Sequence, residues 1–243
     1  MCALLVGCGG DDSPCDPVAQ SGCDDGAVCE QVSGGEATCF APVLIRGRVI
    51  DLGTSAGVAG ARVVAVDING AAMSGVAVSG ADGKYALTLP AQRAEDGTPA
   101  AFPVSLRADA AGYESFPGTL RQALPIDTAT AIIDGDGYVV TSTLTDIGLF
   151  GSTVAAAGSI RGHAAVPDDH AGILVVAEAA GVGHAVIAAR DGDYQIFNLP
   201  AGHYTVTAYS LGHVYAALEV DVASAAVAAD LALSADSAGT LTG

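Results

Sequence analysis

Four cysteines, Cys15, Cys23, Cys29 and Cys39, fall within 25 residues, separated by seven, five and nine positions. Cysteines this dense in a polar, turn-rich stretch point to one of two chemistries, oxidation in pairs or tetrahedral metal ligation. No pair has the CxxC spacing and the stretch holds no histidine, so two disulfides are expected rather than zinc. Four cysteines allow three connectivities, and spacing does not choose among them. Such a segment cannot build a core of its own. No cysteine follows Cys39 through Gly243, which suits a small stapled cap on a body held by its own packing.

The remaining residues with chemical potential do not assemble into a reaction centre. Gly53-Thr54-Ser55-Ala56-Gly57 satisfies GxSxG literally. A nucleophile elbow needs a helix after the serine and a histidine base in reach, whereas strands flank this loop and the nearest following histidine lies more than 100 residues on. A catalytic zinc of the HxxE type is also missing, since none of His163, His170, His184, His203 or His213 is followed three residues later by Glu. A strand pair could bring His203 near His213 in a metal-binding edge, but scatter over loops and strand faces explains the histidines more simply. Asp134-Gly135-Asp136-Gly137 and Asp191-Gly192-Asp193 cluster oxygen ligands of the kind calcium uses. Neither continues into a twelve-residue loop with a terminal Glu, and Asp-Gly is good hairpin chemistry. Sugar stacking needs flat, exposed rings. The chain has no Trp; Tyr85, Tyr194 and Tyr204 are expected to face inward, which leaves Tyr113, Tyr138, Tyr209 and Tyr215 for that role. No catalytic residue, metal or cofactor is expected.

The elements that would position these groups are strands. The 243 residues include 32 Gly, and charged residues make up only 15% against 51% hydrophobic, a balance that favours turn-rich β structure with a real core. Nine Lys plus Arg against 27 Asp plus Glu leave a net charge of −18, which repels phosphate backbones and anionic head groups. Nucleic acid is excluded as a partner; a protein or a glycan is not. The period within each segment is two. Val43, Ile45, Gly47 and Val49 share one face while Arg46 and Arg48 point the other way. Val63 to Ile68 forms a second strand ending at the Asn69-Gly70 turn, and Tyr85, Leu87 and Leu89 alternate with Ala86 and Thr88 after the Asp82-Gly83 turn. Tyr194 to Leu218 carries no charged residue, but Asn198, Pro200-Ala201-Gly202 and His203 interrupt it, so it reads as strand, turn and strand rather than a membrane span.

The landmarks occur twice. Ile45-Arg46-Gly47 returns as Ile160-Arg161-Gly162, and Asp82-Gly83-Lys84-Tyr85 through Leu89-Pro90 returns as Asp191-Gly192-Asp193-Tyr194 through Leu199-Pro200. Ser105-Leu106-Arg107-Ala108 leading to Gly112-Tyr113 matches Thr205-Val206-Thr207-Ala208 leading to Gly212-His213, and Asp146-Ile147-Gly148-Leu149 matches Asp230-Leu231-Ala232-Leu233. The first copy is nine residues longer between Asp-Gly and the later glycine, and Arg93 to Ala101, polar and carrying Pro99, is the natural insertion.

This order of motifs, with Val58-Ala59-Gly60-Ala61-Arg62-Val63 and Leu199-Pro200-Ala201-Gly202-His203-Tyr204, resembles the carboxypeptidase regulatory-like domain, a prealbumin-like and CNA-B-like module, over about 190 of the 243 residues. The second copy departs at Val166 to His170, where Pro167-Asp168-Asp169-His170 replaces a Gly-rich stretch. The resemblance implies seven or eight strands in a sandwich, and a module that is usually non-catalytic in secreted or surface proteins. An intramolecular Lys-Asn isopeptide of the adhesin type would need Lys84 to face Asn69 or Asn198 in a core, and Lys84 and Asn69 both sit at turns. Leu5-Val6-Gly7-Cys8 resembles the lipobox of bacterial lipoproteins, which implies lipidation of Cys8 and a polar tether after it.

The expected architecture is all-β. Residues 1–14 are a lipoprotein signal remnant and tether, 15–40 a disulfide module, 42–150 and 158–234 two tandem antiparallel sandwiches, and 235–243 the start of a further repeat. The expected role is that of a non-enzymatic spacer or interaction protein at the outer membrane or cell surface, its membrane contact made through the lipid alone. The alternative is a carbohydrate- or calcium-binding module of a larger secreted protein.

Overall fold

The computed structural model describes residues 15–17, 20–118, 121–135, 137–153, 158–167 and 172–234. Cys8, expected from sequence to be lipidated, and the stretch expected to follow it as a tether lie outside the described residues, as do Asp136, Asp168 to His170 and the terminal stretch 235–243.

The fold is all-β. β1 (Val28–Gln31) and β2 (Ala37–Phe40) form an antiparallel ribbon in the cysteine segment. The first body follows with β3 (Val43–Asp51), β4 (Arg62–Val66), β5 (Ala77–Val78), β6 (Lys84–Leu89), β7 (Pro103–Asp109), β8 (Ile126–Asp127), β9 (Ile132–Asp134), β10 (Gly137–Val140) and β11 (Ile147–Leu149). The second comprises β12 (Gly158–His163), β13 (Leu174–Ala179), β14 (Val182–Ile187), β15 (Asp193–Leu199), β16 (Gly202–Ser210), β17 (His213–Val214), β18 (Leu218–Val222) and β19 (Ala226–Ala228). A 3-10 turn over Thr128–Thr130 is the helical element among the described residues, and among them no helix is long and apolar enough to cross a membrane.

Each body is two facing sheets. In the first, β3 is flanked by β6 and by β10 and β11, and the opposite sheet runs β5-β4-β7-β8. In the second, β15-β12-β19 faces a sheet in which β16 pairs β13, β17 and β18. The alternation read from the sequence decides what fills the space between sheets. Tyr85, Leu87 and Leu89 are buried while Lys84, Ala86 and Thr88 are exposed, and Val43, Ile45 and Val49 meet Val63, Ala65, Leu106 and Ala108 in one core. A separate cluster of Ile160, Val175, Ala177, Tyr194, Ile196, Val206 and Ala208 fills the second body.

The antiparallel order yields at one place in each body. β10 and β11 run parallel to β3, and β19 runs parallel to β12. The registers are equivalent: Ile147 lies opposite Val49, and Leu231 bridges Ala164 in the same parallel sense, as the two Asp-led closing segments require.

Parallel closure depends on a glycine and a tyrosine that the repeat conserves between its copies. Gly47 lies opposite Tyr85, and Gly162 opposite Tyr194. A Cβ on Gly47 would stand 2.0 Å from the Thr145 carbonyl oxygen, and one on Gly162 would stand 2.0 Å from that of Ala229. The bare backbone lets the closing segment approach, and the tyrosine hydroxyls donate to those same two carbonyls. Burial pushes both phenols above their ordinary range, with Asp146 and Asp230 adding to it. Those aspartates in turn accept the N–H of Arg48 and of His163, each at 2.9 Å.

Candidate functional site at the module junctions

Disulfides join Cys15 to Cys29 and Cys23 to Cys39, with Cα separations of 5.7 and 5.6 Å. Cys29 and Cys39 sit opposite one another in the β1–β2 ribbon yet each bonds a residue of the preceding loop. Each bridge closes a loop of 14 or 16 residues, worth about 3 kcal/mol against the unfolded chain. The sulfurs of Cys15, Cys23 and Cys29 lie within 4.8 Å of one another, as they would around a metal, but a disulfide sulfur has no thiolate to offer.

The ribbon is fastened to the first body by a buried ion pair. Arg93 binds the carboxylate of Glu30 through its Nε, and both side chains are at most 1% exposed. Desolvation raises the Glu30 carboxyl above its ordinary value, opposed by hydrogen bonds from the Ala91 N–H at 2.7 Å and from Arg93. The remaining guanidinium N–H groups reach the carbonyls of Ala41 at 2.8 Å and Gly97 at 3.3 Å, and its plane lies over Phe40 and Tyr138. Backbone bonds from Arg93 N to Gln31 O and from Ser33 N to Arg93 O continue the seam. The segment inserted in the first copy is thus the receptor for the cysteine module. Sequence alone offers no sign of it, since Glu30 and Arg93 stand 63 positions apart.

A second junction joins the two bodies. Asn198, held at a φ of 59°, accepts the Gly112 N–H at 2.7 Å and donates to the Tyr113 carbonyl at 2.7 Å and to that of Ala110 at 3.3 Å. At the other end of β15, the Arg190 N–H donates to Ser74 O and its guanidinium to Pro17 O, both at 2.9 Å. Arg190 therefore touches all three modules. Between these points Val64 and Val66 of β4 bury against Ala189. Burial lowers the Arg62 guanidinium below its ordinary value, against the pull of Asp193, Asp191 and Asp109.

The groups singled out from sequence are placed as follows. The Gly53 to Gly57 loop is a turn in which Asp51 accepts the N–H of Gly53 and Thr54 at 2.7 and 3.0 Å. His203 does not meet His213. The first pairs with Asp221 at the start of β16 and the second with Ser210 at its end, roughly 23 Å apart at about 3.3 Å per residue. His203 instead lies between two carboxylates, Asp221 at 2.8 Å and Glu219 at 3.0 Å. Asp82 pairs with Lys84 at 2.9 Å and Asp134 with Arg46. Tyr85, Tyr194 and Tyr204 face inward as expected. Tyr215 corrects the expectation: it is 5% exposed and donates to Ala165 O at 2.8 Å. Its tip needs a partner once buried, and the period alone did not show which side it faces. Tyr138 lies against Arg93 and Tyr113 donates to Asp51 at 3.0 Å, while Tyr209 stands 57% exposed.

No protein-family model matches the chain, and no curated protein matches it. Solved structures with a similar course include the TIE protein of Bacillus anthracis, with 13% identity and a TM-score of 0.27 over 81% of this chain and 35% of that one. A streptococcal ancillary pilin gives 11% and 0.28 over 86% of this chain and 75% of that one. A minor pilin of Streptococcus agalactiae gives 8% and 0.28 over 82% and 99%. The chain thus spans about a third of the length of the Bacillus anthracis protein.

Proposed function

We propose that the chain is a non-catalytic surface protein in which two carboxypeptidase regulatory-like sandwiches and a disulfide cap act as a stiff spacer and interaction unit. The observation that carries this reading is Arg190, which hydrogen-bonds the cap at Pro17 and the first body at Ser74 from within the second body. Asn198 adds its three bonds to the first body. Modules that served only as beads on a string would leave these backbone groups to water. Lipidation of Cys8 in the Leu5-Val6-Gly7-Cys8 stretch would anchor the unit at the membrane face on the extracytoplasmic side.

Spin labels introduced through unnatural amino acids at Ile68 and Leu211, both strongly exposed, report the distance between the bodies in the full chain. A narrow distribution that broadens in the Asn198→Ala, Arg190→Ala double variant is expected. A broad distribution in the unaltered chain would remove the spacer reading. Loss of metabolic palmitate labelling in Cys8→Ala tests the anchor. A thermal shift with calcium, or retention on a glycan array, would favour the ligand-binding alternative instead.

A further inference from the structure

Among the described residues, no strand pairs with the outer edge of β6. Its inner edge pairs antiparallel with β3, and the alternation of that ladder fixes which backbone groups point outward. Arg48 sends its N–H to Asp146 and the Lys84 carbonyl accepts from Gly80 N at 2.9 Å. The Arg48–Lys84 pair therefore exchanges no hydrogen bonds. Tyr85, Leu87 and Leu89 bond to β3, while Lys84, Ala86 and Thr88 direct their N–H and C=O groups away from it. Lys84 is satisfied on that side, its N–H donating to Asp82 at 3.1 Å, and Pro90 beyond the strand has no N–H to give. The outward N–H and C=O of Ala86 and of Thr88 have no hydrogen-bond partner among the described residues.

These four groups open onto a groove of 1080 Å³ lined by Ala86, Leu87 and Thr88, with Val28 of the cap, Val76 of the first body and Val166 of the second among its walls. The corresponding seam of the second body, between β14 and β15, is narrowed to 100 Å³, where Asp109, Tyr113 and Ser115 of the first body line it. Each seam is walled by a neighbouring module, but that of the first body is by far the wider.

We propose that this edge takes an extended cationic segment of a partner protein as an added strand, hydrogen-bonded across Ala86 to Thr88. An unpaired row of main-chain groups is a template for strand addition, and the small exposed side chains of Ala86 and Thr88 leave the approach open. Alternate residues of the incoming strand would face the valines of the groove. The sign of the partner follows from charge: 27 acidic against 9 basic residues and a net charge of −18 draw a basic segment in, whereas a second copy would bring the same repulsive charge. This goes beyond the spacer reading, and the distance between the bodies tests that reading separately.

Fluorescence anisotropy of the full chain with a labelled ten-residue peptide of alternating Lys and Val tests the proposal, with Glu in place of Lys as control. Binding that weakens with salt and is at least about tenfold tighter than for the Glu peptide is expected. Thr88→Pro removes an outward N–H and leaves the β3 ladder intact, so it should cost about tenfold in affinity with an unchanged unfolding midpoint. Peptides N-methylated on one or the other set of alternate residues decide the case even if that variant does not fold, since one set should bind and the other fail. Equal binding by both methylated sets, or no binding of the Lys peptide, would overturn the proposal. So would a homodimer that Thr88→Pro abolishes, which would assign the edge to a second copy.

Discussion

The hydroxyl of Tyr85 donates to the main-chain carbonyl of Thr145 at 2.6 Å, across 60 positions of sequence. Tyr194 does the same to Ala229 in the second body. Among the described residues these carbonyls have no other donor, so the phenol completes the closure that Gly47 and Gly162 permit. Tyr85→Phe keeps the ring in the core and removes the bond. A loss of about 1–3 kcal/mol is expected by urea unfolding, and Tyr194→Phe should match it in the second body.

The glycine partner should be costlier to change. Gly47→Ala places a methyl 2.0 Å from the Thr145 oxygen, backbone against backbone, and should destabilise by about 3 kcal/mol. Gly60, at a φ of 72° with open space around it, is the control. Gly60→Ala meets only the left-handed penalty of about 1–2 kcal/mol. Thermal unfolding of the two variants side by side measures the difference.

The cap should come loose from the first body when its buried pair is broken. Arg93→Met leaves the Glu30 carboxylate buried without its counter-charge, at a cost of about 3–5 kcal/mol. Hydrogen exchange at Ala91 and Ser33, whose N–H groups bond Glu30 and Arg93, should accelerate while exchange in the second body stays slow. The Glu30→Met, Arg93→Met double variant removes both charges and should recover part of the loss.

His203 gives a pH-dependent signal. Hydrogen bonding to Asp221, with the charges of Asp221 and Glu219 behind it, raises its pKa above the ordinary 6.5. A group raised on folding favours the folded state fully below its unfolded value, and that contribution disappears as pH climbs through the folded value. The imidazole proton resonance should therefore titrate with a midpoint above 6.5, and Asp221→Asn should lower it more than Glu219→Gln. A midpoint unmoved by either substitution would contradict the geometry.

The fold was legible because its signals are local. The alternation of Tyr85, Leu87 and Leu89 places them on one face whatever the rest of the chain does. Gly83 and Gly192 announce their turns because a left-handed φ of 81° or 89° is costly for other residues. The two copies could be aligned because both halves need the same glycine at closure. The junctions were not legible. Glu30 and Arg93, Asn198 and Gly112, and Arg190 and Pro17 meet only through the tertiary arrangement, and none stands in a local pattern that sets it apart. The cysteine spacing allowed three pairings for the same reason, and packing selected one.

The parallel course of β3 beside β11, and of β12 beside β19, bears on how each body would respond to a tug on its two ends. The opening and closing strands run the same way, so traction on the N-terminal end of one and the C-terminal end of the other slides them lengthwise. Every rung between them is then strained at once, where a hairpin pulled from its open end would unzip rung by rung. Each sandwich is thereby strung to resist stretching.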